Sequence, residues 1–351
     1  MKYKRIIIKV GTNVITNKSN LLCKKSMGRI VKQIVQLKKE GIDVVLVSSG
    51  AVGAGRPLVK FSKKPKRIIE RQMLASVGQT RLMNVYDELL SKHNYLCAQV
   101  LATKEDFRDR KHYLNMKNCL EGLLHDQIIP IINENDVVSV DELMFTDNDE
   151  LAGLLSSMLN ADALLLLSNV DGVMENGKVI SKVDFKKKNI YKCVNPTKSS
   201  FGRGGMITKC KIAEKMSQVG ITTHVINGEK VGIILDVLGG KNVGTTFVAK
   251  KGASGVKKWI AHSESQAKGY VFIDDKAVEI MTAIDKAASL LPVGITKISG
   301  TFKKDDIVKI RNSKGNTIGL GVAQYGSEKA KEVIGKKGKK PLIHYDYLFI
   351  F

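Results

Sequence analysis

The chain has 351 residues, 43% of them hydrophobic and 26% charged, which are ordinary proportions for globular domains and exclude a disordered or fibrous chain. At roughly 100–200 residues per domain, this length suggests two or three domains. The 57 Lys+Arg against 34 Asp+Glu leave a formal charge of +23. The excess is evenly spread, with 40 basic and 24 acidic residues in 1–253 and 17 and 10 in 254–351. Even spreading points to background composition rather than to a nucleic-acid-binding face.

No apolar run reaches the ~18 residues of a membrane span. The longest, residues 154–167, is broken by Asn160 and Asp162. After Lys2, Lys4 and Arg5 the apolar run covers only residues 6–8, too short for a signal peptide, so a cytoplasmic protein without membrane partners is expected. Cys23, Cys97, Cys119, Cys193 and Cys210 contain no C-x-x-C spacing. Reduced, mostly buried thiols are expected, not a disulfide framework or zinc site.

In chain order, residues 4–10 read as a buried strand and 26–40 as a helix closed by Gly41. Strand 44–47 follows, then helix 72–90, strand 96–101, helix 112–124 and strand 128–132. Helix 149–159, strand 163–167, helix 208–219 and strand 223–226 complete the alternation. Continuous apolar strands alternating with helices indicate an α/β fold, a mainly parallel sheet sandwiched by helices. Residues 250–255 are polar and Gly-rich. Beyond them come short strands at 269–273, 296–299, 307–311 and 317–323, with a helix or two in 274–291. The expected division is 1–250, a linker 251–268, and a small, mostly β domain 269–351.

Ligands of open α/β sheets bind at the carboxyl ends of the strands, and four candidate segments fall at or follow such ends. Lys9-Val-Gly11-Thr-Asn13 ends the first strand and could bring an ammonium and backbone amides to a phosphate. Ser48-Ser49-Gly50 follows the second and leads into a helix N-terminus, or is an ordinary tight turn. Asn133-Glu-Asn135-Asp136 ends another, where Asn and Asp suit either a small polar ligand or a turn. Asp147-Asn148-Asp149 opens a helix. One member, Asp147 or Asn148, would be its N-cap, and the others remain as a polar cluster. A fifth segment, Gly202–Lys209, is a glycine loop running into a helix, without Walker A spacing. No Ser/His/Asp or Cys/His arrangement and no metal-ligand spacing of histidines stands out.

Taken in order, IIIKVGTNVIT (6–16), VVLVSSGAVGAG (44–55), QMLASVGQTRLM (72–83), IIPIINENDVV (128–138), FTDNDELAGLLS (145–156) and GRGGMITK (202–209) resemble the amino-acid kinase family. Residues 289–310 and 319–325 resemble the PUA domain, a pseudo-barrel found in several RNA-modifying enzymes. The resemblance implies ATP-dependent phosphorylation of the L-glutamate γ-carboxylate, the first step of proline biosynthesis. It makes Lys9 and Lys209 the neutralisers of the transferring phosphoryl group and Asp149 the residue that orients them. Ser49, Gly50, Asp136 and Asn148 match glutamate-binding positions. Lys9, Gly11, Ser168, Asn169 and the run Arg203, Gly204, Gly205, Met206, Ile207, Thr208 and Lys209 match ATP-binding positions, with the Gly11 and Gly50 amides lining the path. Mg²⁺ is expected on the ATP phosphates, with no ligand set of the protein's own. A homo-oligomer (dimer or tetramer), feedback inhibition by proline and RNA binding by the PUA-like tail are further implications. This chain departs from the family at Ser168-Asn169, where Thr-Asp is usual, so Asn169 lacks a charge.

Overall fold

The computed structural model describes residues 3–351 except 18, 20, 64, 139–146, 186–189, 193–204, 250–254, 262 and 283–287. The chain divides into two compact units, Met1–Lys251 and Gly252–Phe351.

The first unit begins with β1 (Arg5–Val10), α1 (Thr12–Ile15), α2 (Lys24–Lys39), β2 (Asp43–Ser48), α3 (Ala51–Gly55) and α4 (Arg67–Ser91). Next come β3 (Cys97–Ala102), α5 (Lys104–Arg108), α6 (Arg110–His125), β4 (Ile129–Glu134), α7 (Asn148–Met158) and β5 (Ala163–Ser168). Short strands β6 (Met174–Glu175), β7 (Lys178–Val179) and β8 (Lys182–Val183) lead to α8 (Met206–Gln218), β9 (Thr222–Asn227), α9 (Ile233–Leu238) and β10 (Thr245–Phe247).

Eight strands form one sheet in the order β3-β4-β2-β1-β5-β9-β10-β8. Every pairing from β3 to β9 is parallel, and only β9 with β10 runs antiparallel. The central strands are apolar throughout because both faces are covered, as parallel sheets require. On one face Ile6, Ile8 and Val10 join a core with α2, α4 and α9. The strand's period of two therefore turns Lys9 to the other face, where α7 packs on β1. Register levels the strand ends, with Val10 opposite both Ser48 and Leu167, and Val47 opposite Ile132.

The second unit contains α10 (Gly255–Ala261), β11 (Gly269–Ile273), α11 (Asp275–Thr282), β12 (Ile295–Gly300), β13 (Ile307–Arg311), β14 (Thr317–Val322), α12 (Ser327–Glu332) and β15 (Leu348–Ile350). Its five-stranded sheet runs β12-β11-β13-β14-β15 around a separate core that includes Val271, Ile310, Leu342 and Ile343.

Two expectations need correction. Residues 251–268 are not a plain linker: α10 lies there, packs on β14 and β15, and buries Ile260. Of the four described cysteines only Cys210 is buried; Cys23 and Cys97 are half-buried, and Cys119 is exposed on α6, where a small thiol costs little in water. Among the described residues none of the four is in a disulfide, and Cys193 lies outside the described residues.

Candidate active site

Lys9, Asp149 and Lys209 come from three elements and meet inside the first unit. Lys9 Nζ lies 2.7 Å from Asp149 Oδ1, and Lys209 Nζ donates to Asp149 Oδ2 at 2.7 Å. Asp149 is fully buried, and the two lysines are nearly so. Burial alone would raise the Asp149 pKa, but the two ammonium groups outweigh it and hold the acid down at about 2. Burial would lower the Lys209 pKa, but Asp149 outweighs it and the net direction is upward. The result is two charged ammonium groups fixed side by side on one carboxylate.

The helix starts explain this placement. Asp147 is the N-cap of α7, its side chain accepting from the Asp149 and Glu150 amides. Of the two expected caps, Asp147 therefore takes the role, and Asn148 is released to the site. Asp149 sits in the first turn, where the helix dipole favours negative charge. Lys209 occupies the first turn of α8, which packs against α7 where Gly153 leaves room for Ile212. Burial and the neighbouring Asp149 charge push the Asp147 pKa up to about 6. Its Oδ2 is buried and has no hydrogen-bond partner among the described residues.

A polar chain adjoins this trio. Asn148 Nδ2 donates to Ser49 Oγ at 2.8 Å and to Asn133 Oδ1 at 2.9 Å. Asn133 Nδ2 donates to Gln79 Oε1 at 3.0 Å, and Gln79 Nε2 to Gln99 Oε1 at 3.1 Å. Both Asn148 amide hydrogens are thus committed, leaving Oδ1 as an acceptor. Gly50 follows Ser49 in the left-handed region, φ +110°, where glycine is favoured. Beyond Asn133, Asp136 accepts from Arg71 Nε at 3.0 Å and also from Arg71 NH2.

Sequence reasoning thus brought Ser49, Gly50, Asn148, Asp149, Lys9 and Lys209 to one place. It missed Arg71 and Gln79. Gln79 left a signal, a polar residue on the buried stripe of α4 between Ala75 and Leu82. Arg71 left none, because it lies just before the clear helical periodicity.

The remaining expected positions are more scattered. The Gly11 amide donates to Leu167 O at 3.2 Å, so it is engaged in the sheet and not free for a phosphate. A Cβ at Gly11 would make only ordinary contacts, 3.4 Å to Leu167 O and 3.8 Å to Lys9 Nζ, so packing does not require a glycine there. Arg203 and Gly204 lie outside the described residues. Gly205 caps α8, followed by half-buried Met206, Ile207 and Thr208, whose first-turn amides are a natural anion site. Ser168 ends β5 half-buried and Asn169 is exposed. An acid stands two residues on: Asp171 accepts from Asn227 at 2.8 Å and pairs with Lys230 at 2.8 Å.

Comparison with known proteins agrees with this geometry. The amino acid kinase family profile matches residues 4–227, and the PUA domain profile matches residues 269–345. The chain is 48% identical over 352 aligned positions to Glutamate 5-kinase of Chlorobaculum tepidum, covering 99% of this chain and 98% of that protein. It is 47% identical to Glutamate 5-kinase of Bacteroides thetaiotaomicron, with 99% of each chain covered. In fold it is similar to carbamate kinase from Giardia lamblia bound to AMP-PNP, at TM-score 0.53 and 18% identity, covering 71% of this chain and 99% of that one. With its parallel sheet, its strand-end lysine and a profile match over most of its length, the chain belongs to the amino acid kinase family.

Proposed function

We propose that the chain transfers the γ-phosphoryl group of ATP to the γ-carboxylate of L-glutamate, giving L-glutamyl 5-phosphate, the first step of proline biosynthesis. The observation that carries this reading is the Lys9–Asp149–Lys209 trio, in a chain 48% identical to a protein named Glutamate 5-kinase.

The chemistry suits these residues. A carboxylate with a free pKa of about 4.3 is already the nucleophile, so no general base is needed. The barrier is the approach of two anions, and positioning plus charge neutralisation lowers it. Lys9 and Lys209 neutralise the transferring group, and Asp149 holds their ammonium groups in place. Ser49, Gly50, Asn148 and Asp136 hold glutamate, with Asn148 Oδ1 and Asp136 as acceptors for its ammonium. Gly205 to Lys209 take the phosphates, and Ser168 with Asn169 take the nucleoside end, where Asp171 supplies the nearby acid.

Magnesium fits this donor set. Among the described residues there is no group of three or more His, Cys, Asp or Glu that could hold a metal. The unpartnered Asp147 Oδ2 offers one carboxylate oxygen, enough for an ion that keeps its waters and arrives on ATP phosphates. When bound, such an ion supplies charge neutralisation between the phosphates.

The same proposal includes a cytoplasmic homo-oligomer inhibited by proline. Ile69, Met73 and Val77, exposed along one side of α4, support self-association. Among the described residues no helix is long and apolar enough to cross a membrane.

Coupled ADP release with L-glutamate, L-aspartate, N-acetyl-L-glutamate and carbamate, each with and without proline, tests the reading. Glutamate should be the fastest acceptor, and proline should slow it. Faster turnover of any other acceptor overturns the substrate assignment.

A further inference from the structure

The end of β4 and the loop after it carry two buried carboxylates, Glu134 at 6% and Asp136 at 8% exposure. Burial of like charges so close in sequence demands a counter-charge. Arg71, from the first turns of α4, provides it. Its NH2 lies 3.5 Å from Glu134 Oε2, while Nε and NH2 both address a single Asp136 oxygen, Oδ1. Two edges of the pair remain uncommitted among the described residues, Arg71 NH1 and Asp136 Oδ2. The Arg71 side chain is 30% exposed, so the guanidinium is not sealed inside the protein.

The placement of the pair is not accidental. Helix α4 runs along the same loop. Gln72 Nε2 donates to Val137 O at 2.7 Å, and seven residues further, about 10 Å along the helix, Gln79 bonds Asn133. Asn133 in turn bonds Asn148, the neighbour of Asp149. One helix therefore ties the Arg71–Asp136 pair to the polar chain that ends beside the lysines.

We propose that Arg71 is a substrate-recognition residue whose free NH1 edge takes the α-carboxylate of the amino acid, while Asp136 Oδ2 takes its α-ammonium. An α-amino acid head is a zwitterion, and an Arg–carboxylate pair with one free edge each presents the complementary charges side by side. The planar guanidinium gives direction as well as charge to the carboxylate contact. The inference rests on the glutamate reading and deepens it: the lysines handle the γ end, and Arg71 the α end.

L-Isoglutamine tests this, because its α-carboxamide removes the α charge and keeps the ammonium and the γ-carboxylate. Steady-state kinetics of the full chain with ATP compare it with L-glutamate in wild type, Arg71→Met and Arg71→Lys. Wild type should favour glutamate in kcat/KM by about ten- to a hundredfold, the range for a charge-assisted contact. Arg71→Met should bring that ratio near one by raising KM for glutamate, with kcat and KM for ATP little changed. Arg71→Lys, which keeps the charge but not the fork, should recover part of the preference and serves alone if the Met variant does not fold. A wild-type ratio in the variants overturns the proposal. So does an equal loss on both substrates, the signature of a merely structural Arg71. Wild type inert toward glutamate would overturn the underlying reading itself, and needs no variant to be seen.

Discussion

At the scale of single residues, one carboxylate serves two ammonium groups. Lys209→Met should lower kcat by about 10²–10³, the range for losing one transition-state charge contact, and steady-state kinetics would show it. Asp149→Asn leaves two buried cations without their anion, a loss of about 3–5 kcal/mol of stability by analogy with broken buried pairs. ATP phosphates can replace that anion, so ATP should raise the Tm of Asp149→Asn more than that of wild type. A smaller ATP shift in the variant would count against the shared-anion account. Asp147 works in the opposite direction. Its folded pKa of about 6 lies above the ordinary 3.8, so the folded state binds the proton more tightly. Stability should therefore fall as pH rises from about 4 to about 6. Asp147→Asn can still cap α7 and should flatten that slope in urea unfolding at pH 4.5 and 6.5. The low Asp149 pKa acts only below this window, where protonation would remove stability. These residues were legible as motif members, and their pairing only through the family resemblance, because the distance from Lys9 to Asp149 is a property of the sheet rather than of sequence neighbours.

At the scale of elements, α3 and α4 cross with almost no space between their backbones. A Cβ on Gly78 would lie 1.8 Å from Ala51 O, and one on Gly55 would lie 2.0 Å from Leu74 O. Since α3 follows directly on Ser49-Gly50, Gly78→Ala should displace the turn that presents Ser49. We expect a loss of about 1–3 kcal/mol of stability, typical of overpacking, and a raised KM for glutamate with KM for ATP nearly unchanged. Normal Tm and kinetics in that variant would show that the helices can separate freely. The six long parallel strands of the core and the helices between them were legible because burial on both faces writes apolar runs. Helices of four to six residues and strands of two, such as α1, α9 and β6 to β8, are too short for periodicity to register. In α10, Val256, Trp259 and Ile260 follow helical spacing, but the Gly-rich stretch before them reads as linker.

At the scale of the whole molecule, the two units carry separate cores, so damage to one need not unfold the other. The +23 charge is shared between them in proportion to length. The expected consequence is adsorption of RNA of any sequence at low salt, falling steeply as salt rises. The turn at Gly335-Lys-Lys-Gly-Lys-Lys340 is exposed and should contribute a small part of that slope. Filter binding of two unrelated RNAs across a salt series would check this, and a strong preference for one RNA would contradict it. RNA binding by the tail was implied only by its resemblance to the PUA domain, because charge counts carry no information about shape.

Lys9 lies 140 positions before Asp149, and Lys209 lies 60 after it. Bringing them together requires β1, α7 and α8 all to be docked, and contacts that distant in sequence form slowly. A growing chain therefore holds no complete active site before residue 209 has left the ribosome. In refolding, helical signal should return before turnover does. Catalytic competence in this protein is a late event that reports the closure of its sheet, and a chain that stalls on the way should be inert rather than weakly active.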